Sequence, residues 1–302
     1  MSEAIPQSLL LSSVEKSPAG RSLWSNAIRR LSRDKLAMVC FGVIVSYLLL
    51  AVLCSAGLIF TNYAVTNNAL SYQPPSSAHW LGTDLFGRDV LARAAHGTVT
   101  SLTVGFFGAA LAVLIGTVLG ALAGYFGKWV DDLIVWFYTT LDTIPYILLV
   151  VAFSFVAGPG LRTLCLAIGL TSWIGHCRII RAEFMKQRER EYVQGALALG
   201  AGHARRIFGH ILPNTFHLVL INFSLGFVSA VKSEVILSYL GLGVRPGTPS
   251  WGMMISDAKL ELSREVWWGL AAATFFMFFL VLAFTLFNNA LRDALDPKLK
   301  SR

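Results

Sequence analysis

Residues 36–60 carry no charged side chain, and residues 94–127 hold no Asp, Glu, Lys or Arg. A helix needs about 20 mostly apolar residues to cross a bilayer, so either run is long enough to do so. Hydrocarbon offers no water to a bare N–H or C=O, so runs of this kind must fold as helices. The composition agrees: 55% of the 302 residues are hydrophobic and 14% are charged. Soluble domains carry roughly 25% charged residues, which excludes a water-soluble enzyme or a disordered tail.

Four further apolar runs complete the pattern. Residues 133–157 are interrupted by Asp142 and Pro145, and Gly158-Pro159-Gly160 closes them with a tight turn. Residues 161–180 have a short apolar centre bracketed by Arg162, His176 and Arg178. Residues 213–240 carry Lys232 and Glu234 near their far end, and residues 269–287 are uncharged. The expectation is an all-α integral membrane protein with six transmembrane helices. Its parts are a tail over 1–35, a first span over 36–60, an outer loop over 61–96, a five-helix core over 97–289 and a second tail over 290–302. Gly105, Gly108, Gly116, Gly120 and Gly124 fall in the second run, the small-residue pattern that lets helix backbones approach closely in lipid.

An even number of spans puts both termini on one side. Eighteen Lys and Arg fall on that side and six on the other, with Lys232 inside a span. Such a bias predicts that both termini are cytoplasmic. Cys40, Cys54, Cys165 and Cys177 form no Cys-x-x-Cys pair and read as small buried hydrophobes. The six histidines have no ligand spacing, so no metal site is expected.

The longest inside segment, 183–214, combines charges with an apolar stripe of Met185, Tyr192, Val193, Ala196 and Leu199. Gly200 and Gly202 offer a stop and a bend, a short helix then carries Arg205 and Arg206, and Pro213 marks re-entry into the membrane. Three readings fit: a solvated basic connection, a helix resting on anionic lipid, or a docking knob for a soluble partner's groove.

Gln194-Gly195-Ala196, then Gly200, then His210-Ile211-Leu212-Pro213 resembles the cytoplasmic coupling loop of ABC-importer permeases. That loop reads Glu-Ala-Ala, a Gly, then Ile-x-Leu-Pro. This chain departs from it at Gln194, Gly195 and His210. Leu81-Gly82-Thr83-Asp84, continuing through Gly87-Arg88-Asp89, resembles a segment of the peptide and nickel importers of that family. So do Leu237-Ser238-Tyr239-Leu240-Gly241-Leu242-Gly243 with Pro249-Ser250-Trp251-Gly252, and Leu291-Arg292-Asp293-Ala294-Leu295-Asp296-Pro297-Lys298. Gly20-Arg21-Ser22-Leu23-Trp24 and the length resemble the oligopeptide-permease C subunit most.

The resemblance implies a type I ABC-importer permease fold in the bacterial inner membrane. It implies a homologous second permease paired through the fifth and neighbouring spans, two cytoplasmic ATPase subunits and an extracytoplasmic binding protein. Coupling residues carried over are Tyr192, Gln194, Gly195, Ala196, Leu199, Gly200, Arg205, Arg206, Leu212 and Pro213. The chain shows no Gly-x-x-x-x-Gly-Lys-Ser/Thr, so ATP and Mg²⁺ are expected on the ATPases and no cofactor here. It also has no His-Glu-x-x-His and no Gly-x-Ser-x-Gly, so no enzyme is expected. No nucleic-acid partner is expected either, because the basic residues follow the membrane-topology pattern.

Asp142, Lys232 and Glu234 are the charges inside spans, each costing ~2.5–3.5 kcal/mol at a bilayer centre unless shielded. Asp142, Pro145 and Glu234 are the pathway candidates, with internal ion pairing as the plainer alternative. Lys232 and Glu234, two residues apart, fall on different helix faces. Trp267 and Trp268 fit an interfacial anchor. The outer loop could pair Asp84, Arg88, Asp89 and Arg93 among themselves, or scaffold a binding protein. The rival functions are a dipeptide or nickel importer permease of the same family, or, outside it, an ion-gradient transporter using Asp142 or a channel. The last two predict activity without ATPase subunits.

Overall fold

The computed structural model describes residues 23–295, with side chains from residue 28 onward. Lys16, Arg21 and Gly20 of the first tail, and Asp296, Pro297, Lys298, Lys300 and Arg302 of the last, lie outside the described residues. Among the described residues every regular element is helical, and an isolated bridge between Thr83 and Asp89 accompanies them.

Helix α1, Leu23–Arg33, leads into α2, Lys35–Ser55, whose N-terminus is capped by Asp34 accepting from the N–H groups of Leu36 and Ala37 at 2.9 and 3.2 Å. This helix stops five residues before the expected end at 60. Gly57 takes φ +68°, and the Leu58 N–H bonds back to Leu53 O, a glycine-based helix stop that hydropathy cannot see. Helix α3, Val90–Phe126, begins four residues earlier than expected because Asp89 caps it, accepting from Ala92 N–H at 2.9 Å. At 1.5 Å per residue its 37 residues reach about 55 Å, well beyond the bilayer core.

The third expected span is broken. Helices α4, Lys128–Asp142, and α5, Tyr146–Ala157, meet at 83° across Thr143-Ile144-Pro145. Pro145 has no N–H to give and disfavours helical geometry at Ile144, so the helix ends there. Helices α6, Leu161–Thr171, and α7, Trp173–Arg188, together make one span, Leu161–Arg188, longer than the expected 161–180. Its arginines are neutralised along the way: Arg181 grips both carboxylate oxygens of Asp131, and Arg178 meets Asp142 at 2.7 Å. A short helix α8, Glu191–Ala198, follows.

A π-helical turn, Arg205–Ile211, runs directly into α9, Leu212–Tyr239, so the span starts before Pro213 rather than at it. The Leu212 N–H reaches five residues back to Ile207 O, and the proline sits in the first α-turn, where a missing N–H is tolerated. Helix α10, Trp251–Glu261, and α11, Trp268–Leu295, complete the chain. Among the described residues five helices are long and apolar enough to span a membrane, and six spans result if the bent pair counts as one.

The central post is α3. Phe227 of α9 fills the space over Gly105, and Ile168 of α6 that over Gly108. The Gly116, Gly120 and Gly124 stripe lies against the α7 backbone. A Cβ at Gly120 would sit 2.6 Å from Cys177 O, so the expected close approach is present. Cys40, Cys54 and Cys177 are buried, Cys165 is partly buried, and all four are free thiols.

Candidate functional site

Helix α8 is pinned by one side chain. Val193 is buried against Ala121 and Tyr125 of α3, Ile180 and Phe184 of α7, and Ile211 of the π-turn. Two polar ties flank it: Tyr192 donates to Gln187 Oε1 at 2.8 Å, and Gln194 donates to Arg188 O at 2.9 Å. The helix ends at Gly200, with φ +81°, where the Gly200 N–H bonds to Leu197 O and the Ala201 N–H to Ala196 O. A residue with a Cβ is strained in that conformation.

Such anchoring leaves an apolar tip in solvent. Leu199 is 91% exposed, Phe208 67% and Leu197 46%. Gln194, Gly195, Gly200, Arg205 and Pro213 are exposed as well, whereas Ala196 and Leu212 are half-buried. Arg206 is also half-buried. Its guanidinium lies over the Tyr125 ring at 5.5 Å and donates to His203 Nδ1 at 3.1 Å, so it braces the loop rather than standing free. The sequence reading missed the anchor in Val193 and the exposed Leu197. No local sequence signal separates them from the rest of the apolar positions in this helix.

A cleft of about 270 Å³ opens between α3, α6, α7 and α9, lined by Gly108, Ser172, Gly175, His176, Asn222 and Ser229 among others. A neighbouring one of about 180 Å³ is lined by Asp142, Tyr146, Thr171, Ser172 and Gly175. Ser172 and Gly175 belong to both, so the two adjoin as one furrow. Asp142 and Pro145 sit together at the α4–α5 bend, and both are exposed. The 2.7 Å pair of Asp142 with Arg178 is half-exposed on each side, the ion-pair environment that the sequence left open.

Glu234 is elsewhere. It is fully buried, accepting from Ser101 Oγ at 3.2 Å, Ser238 Oγ at 2.8 Å and Ser250 Oγ at 2.6 Å. It lines neither cleft and ties α3 and α9 to the start of α10. Lys232 is exposed on another face of α9.

The outer loop is equally locked. Asp84, 2% exposed, takes hydrogen bonds from the Phe86 and Arg88 N–H groups and ion pairs with Arg88 and Arg93. Arg93 pairs not with Asp89 but with Asp84 and, at 3.2 Å, with Asp257 of α10. Trp268 is buried, donating to Thr83 O at 2.9 Å, so of the two tryptophans expected as anchors only Trp267 is exposed. Burial, with Asp257 and Asp84 nearby, pushes the Glu261 carboxyl up to about 7, against Arg93 and the Leu85 N–H. Among the described residues no cluster of His, Cys, Asp or Glu is placed to hold a metal.

The description "binding-protein-dependent transport system inner membrane component" matches residues 116–301. The chain belongs to this family. A second description, the N-terminal transmembrane domain of oligopeptide transport permease C, matches residues 22–75, covering α1 and α2. The chain is 38% identical to a dipeptide transport system permease protein of Alkalihalophilus pseudofirmus, over 93% of this chain and 91% of that one. It is 36% identical to an oligopeptide transport system permease protein of Bacillus subtilis, over 92% and 91%. A glutathione transport system permease protein of Pectobacterium atrosepticum is 34% identical, over 93% of each. As a member of the binding-protein-dependent family, the chain is a multi-pass permease component of a peptide ABC importer in the bacterial inner membrane, not the ATPase. Within such a permease, the anchored loop presents an apolar tip to a partner, and the furrow opens on the surface of the chain.

Proposed function

We propose that this chain is a permease subunit of an ATP-driven oligopeptide importer, coupled through residues 183–214 to separate ATPase subunits. Leu199 carries the reading. A leucine held 91% exposed on a helix that Val193 fixes to the transmembrane core needs a partner's apolar groove. Arg205 beside it supplies charge for the rim. The basic excess puts this loop and both termini in the cytoplasm. ATP and Mg²⁺ belong to the two ATPases. A homologous permease faces the furrow, and an external binding protein delivers the peptide to the outer face. Oligopeptides are preferred as cargo because the match over 22–75 is to the oligopeptide permease C N-terminal domain.

The furrow, with Asp142 at one end beside the bend at Pro145, is half a pathway.

The test is reconstitution of the chain with its second permease, ATPases and binding protein in proteoliposomes. Uptake of peptides of two to five residues should require ATP, and Leu199→Asp should abolish binding-protein-stimulated ATP hydrolysis while the permease pair still forms. Uphill transport by the chain alone would overturn the coupling reading. Uptake restricted to dipeptides would overturn the oligopeptide assignment.

A further inference from the structure

A cleft of about 370 Å³ lies where the outer loop meets the start of α11, and nearly all of its wall is carbon. The loop contributes Pro75, Trp80 and Leu81 to it, and α11 contributes Ala271, Phe275 and Phe276. Loop and helix cannot close on each other. Trp268, buried between them, donates its indole N–H to Thr83 O at 2.9 Å. Gly82, at φ +69°, already touches that indole, and a Cβ there would sit 2.8 Å from the ring nitrogen. An apolar cleft that cannot collapse gains dispersion contact only when an apolar group fills it.

Depth identifies that group. Glu265 and Arg292 are the charges that bracket the apolar run of α11. About 20 residues of helix fill a ~30 Å hydrocarbon core, so a core centred between those charges begins near Trp268. Phe275 lies about 10 Å further along the helix at 1.5 Å per residue, below the surface on which a soluble protein rests. The cleft also continues into the membrane. Phe275, Phe279 and Leu282 are exposed on one helix face, and the first two rings lie 4.4 Å apart between centroids. The furrow that faces the second permease takes no residue from α11, so this stripe is left to lipid. We propose that the cleft holds an acyl chain of a phospholipid, from the outer leaflet on the orientation given above.

The chemistry fits at both ends. A polymethylene chain asks for no hydrogen bond, and the Trp268 N–H, spent on Thr83, offers none. Trp80 and Trp267 are exposed and also line the cleft, which places two indole rings where the chain meets its ester and phosphate groups. Tryptophan favours that level of a bilayer, with its ring against hydrocarbon and its N–H toward polar oxygens. Seated so, the chain fastens the outer loop to α11 in addition to the Trp268 bond, and the order of the outer face comes to depend on lipid. The proposal goes beyond the transport reading and holds whichever peptide is carried.

The test places the whole importer in nanodiscs of phosphatidylethanolamine doped with the same lipid bearing a diazirine midway along one acyl chain. After illumination, adducts should appear on 75–81 of the outer loop as well as along the open stripe, 278–282. Ala271→Phe, at an exposed helix position lining the cleft, puts a ring where the chain would lie. Labelling of 75–81 should then fall roughly tenfold, the effect of about two methylenes kept out of contact, with 278–282 unchanged. No adduct on 75–81, or labelling indifferent to the ring, would overturn the site. Should the variant fail to assemble, a lipid with its diazirine on the headgroup decides the matter in the unmodified complex. It should label 75–81 less than the mid-chain probe does, and the opposite order overturns the proposal. Labelling of 75–81 in the isolated chain that disappears in the assembled importer would do so too, because a protein subunit would then cover the cleft.

Discussion

Substituting Gly120 by alanine tests the seam on which the fold turns. A Cβ there would lie 2.6 Å from Cys177 O, and also 3.0 Å from Ile180 Cβ, whereas ordinary contact begins near 3.4 Å. The shortfall of about 0.8 Å is against backbone, not the end of a flexible side chain, so α7 as a whole must move outward. Overpacking of this kind costs about 1–3 kcal/mol. Alanine's better helix propensity returns roughly 0.5–1 kcal/mol. A net loss of about 1–2 kcal/mol should lower the midpoint of thermal denaturation by ~2–6 °C in detergent, read by fluorescence-detected gel filtration. Gly116→Ala should behave alike, because its Cβ would come within 2.8 Å of Trp173 O. The double variant should lose less than the sum, since α7 displaced by one methyl has already made room for the other. Gly42→Ala is the control, with nothing within 4 Å of its Cβ, and should melt no lower than the parent. If Gly120→Ala melted with the control, α3 and α7 would not be in backbone contact, and the reasoning would fail.

Three other outcomes follow from particular groups. With the Glu261 carboxyl raised to about 7 from 4.5, the folded protein keeps a proton that the unfolded chain releases. Stability should therefore fall as pH rises from about 4.5 to about 7 and level off above, and Glu261→Gln should flatten that slope in thermal scans across the range. Glu234→Ala strips the shared acceptor from Ser101, Ser238 and Ser250 and should destabilise by ~2–4 kcal/mol, seen as a lower denaturation midpoint. Gly195→Ala, mid-helix in α8 with open space around its Cβ, should stabilise that helix by about 0.5–1 kcal/mol, measurable as slower proteolysis of the loop.

Hydropathy located every membrane-crossing element but misjudged most of their ends, and the reasons are local. Asp34 caps one helix through two hydrogen bonds and Asp89 another through one, and Gly57 stops one by its backbone sign; none of these alters a window of apolar residues. Charge misled at α7, where Arg178 and Arg181 read as the edge of a span. Asp142 and Asp131, far off in sequence, pair with them and let the helix run on. Pro145 was visible in the sequence, yet its effect, an 83° break rather than a kink, depends on what the following helix packs against. Exposure of Leu199 and burial of Val193 were illegible for the same reason, since both belong to one apolar stripe and only the tertiary fold divides them. The three-serine enclosure of Glu234 draws on α3, α9 and the cap of α10, residues up to 149 positions apart in sequence, which no local pattern encodes.

The seam and the loop are one mechanical unit. Cys177, Ile180, Arg181 and Phe184 of α7 lie against the α3 glycines, and Ile180 and Phe184 also bury Val193. A force applied at the tip of α8 thus meets the α3–α7 pair directly, with no flexible side chain between the two backbones at Gly120 and Gly124. His176 rides on that same helix, four residues before Ile180, and faces the cleft. On the coupling proposed above, displacing the tip would shift the cleft wall that α7 provides relative to Asn222 on α9. A loosened seam, as in Gly120→Ala, should therefore lower peptide uptake more than ATP hydrolysis, because the stroke would be absorbed between α3 and α7 before it reached the furrow. Equal loss of both activities would mean that the seam only holds the fold together.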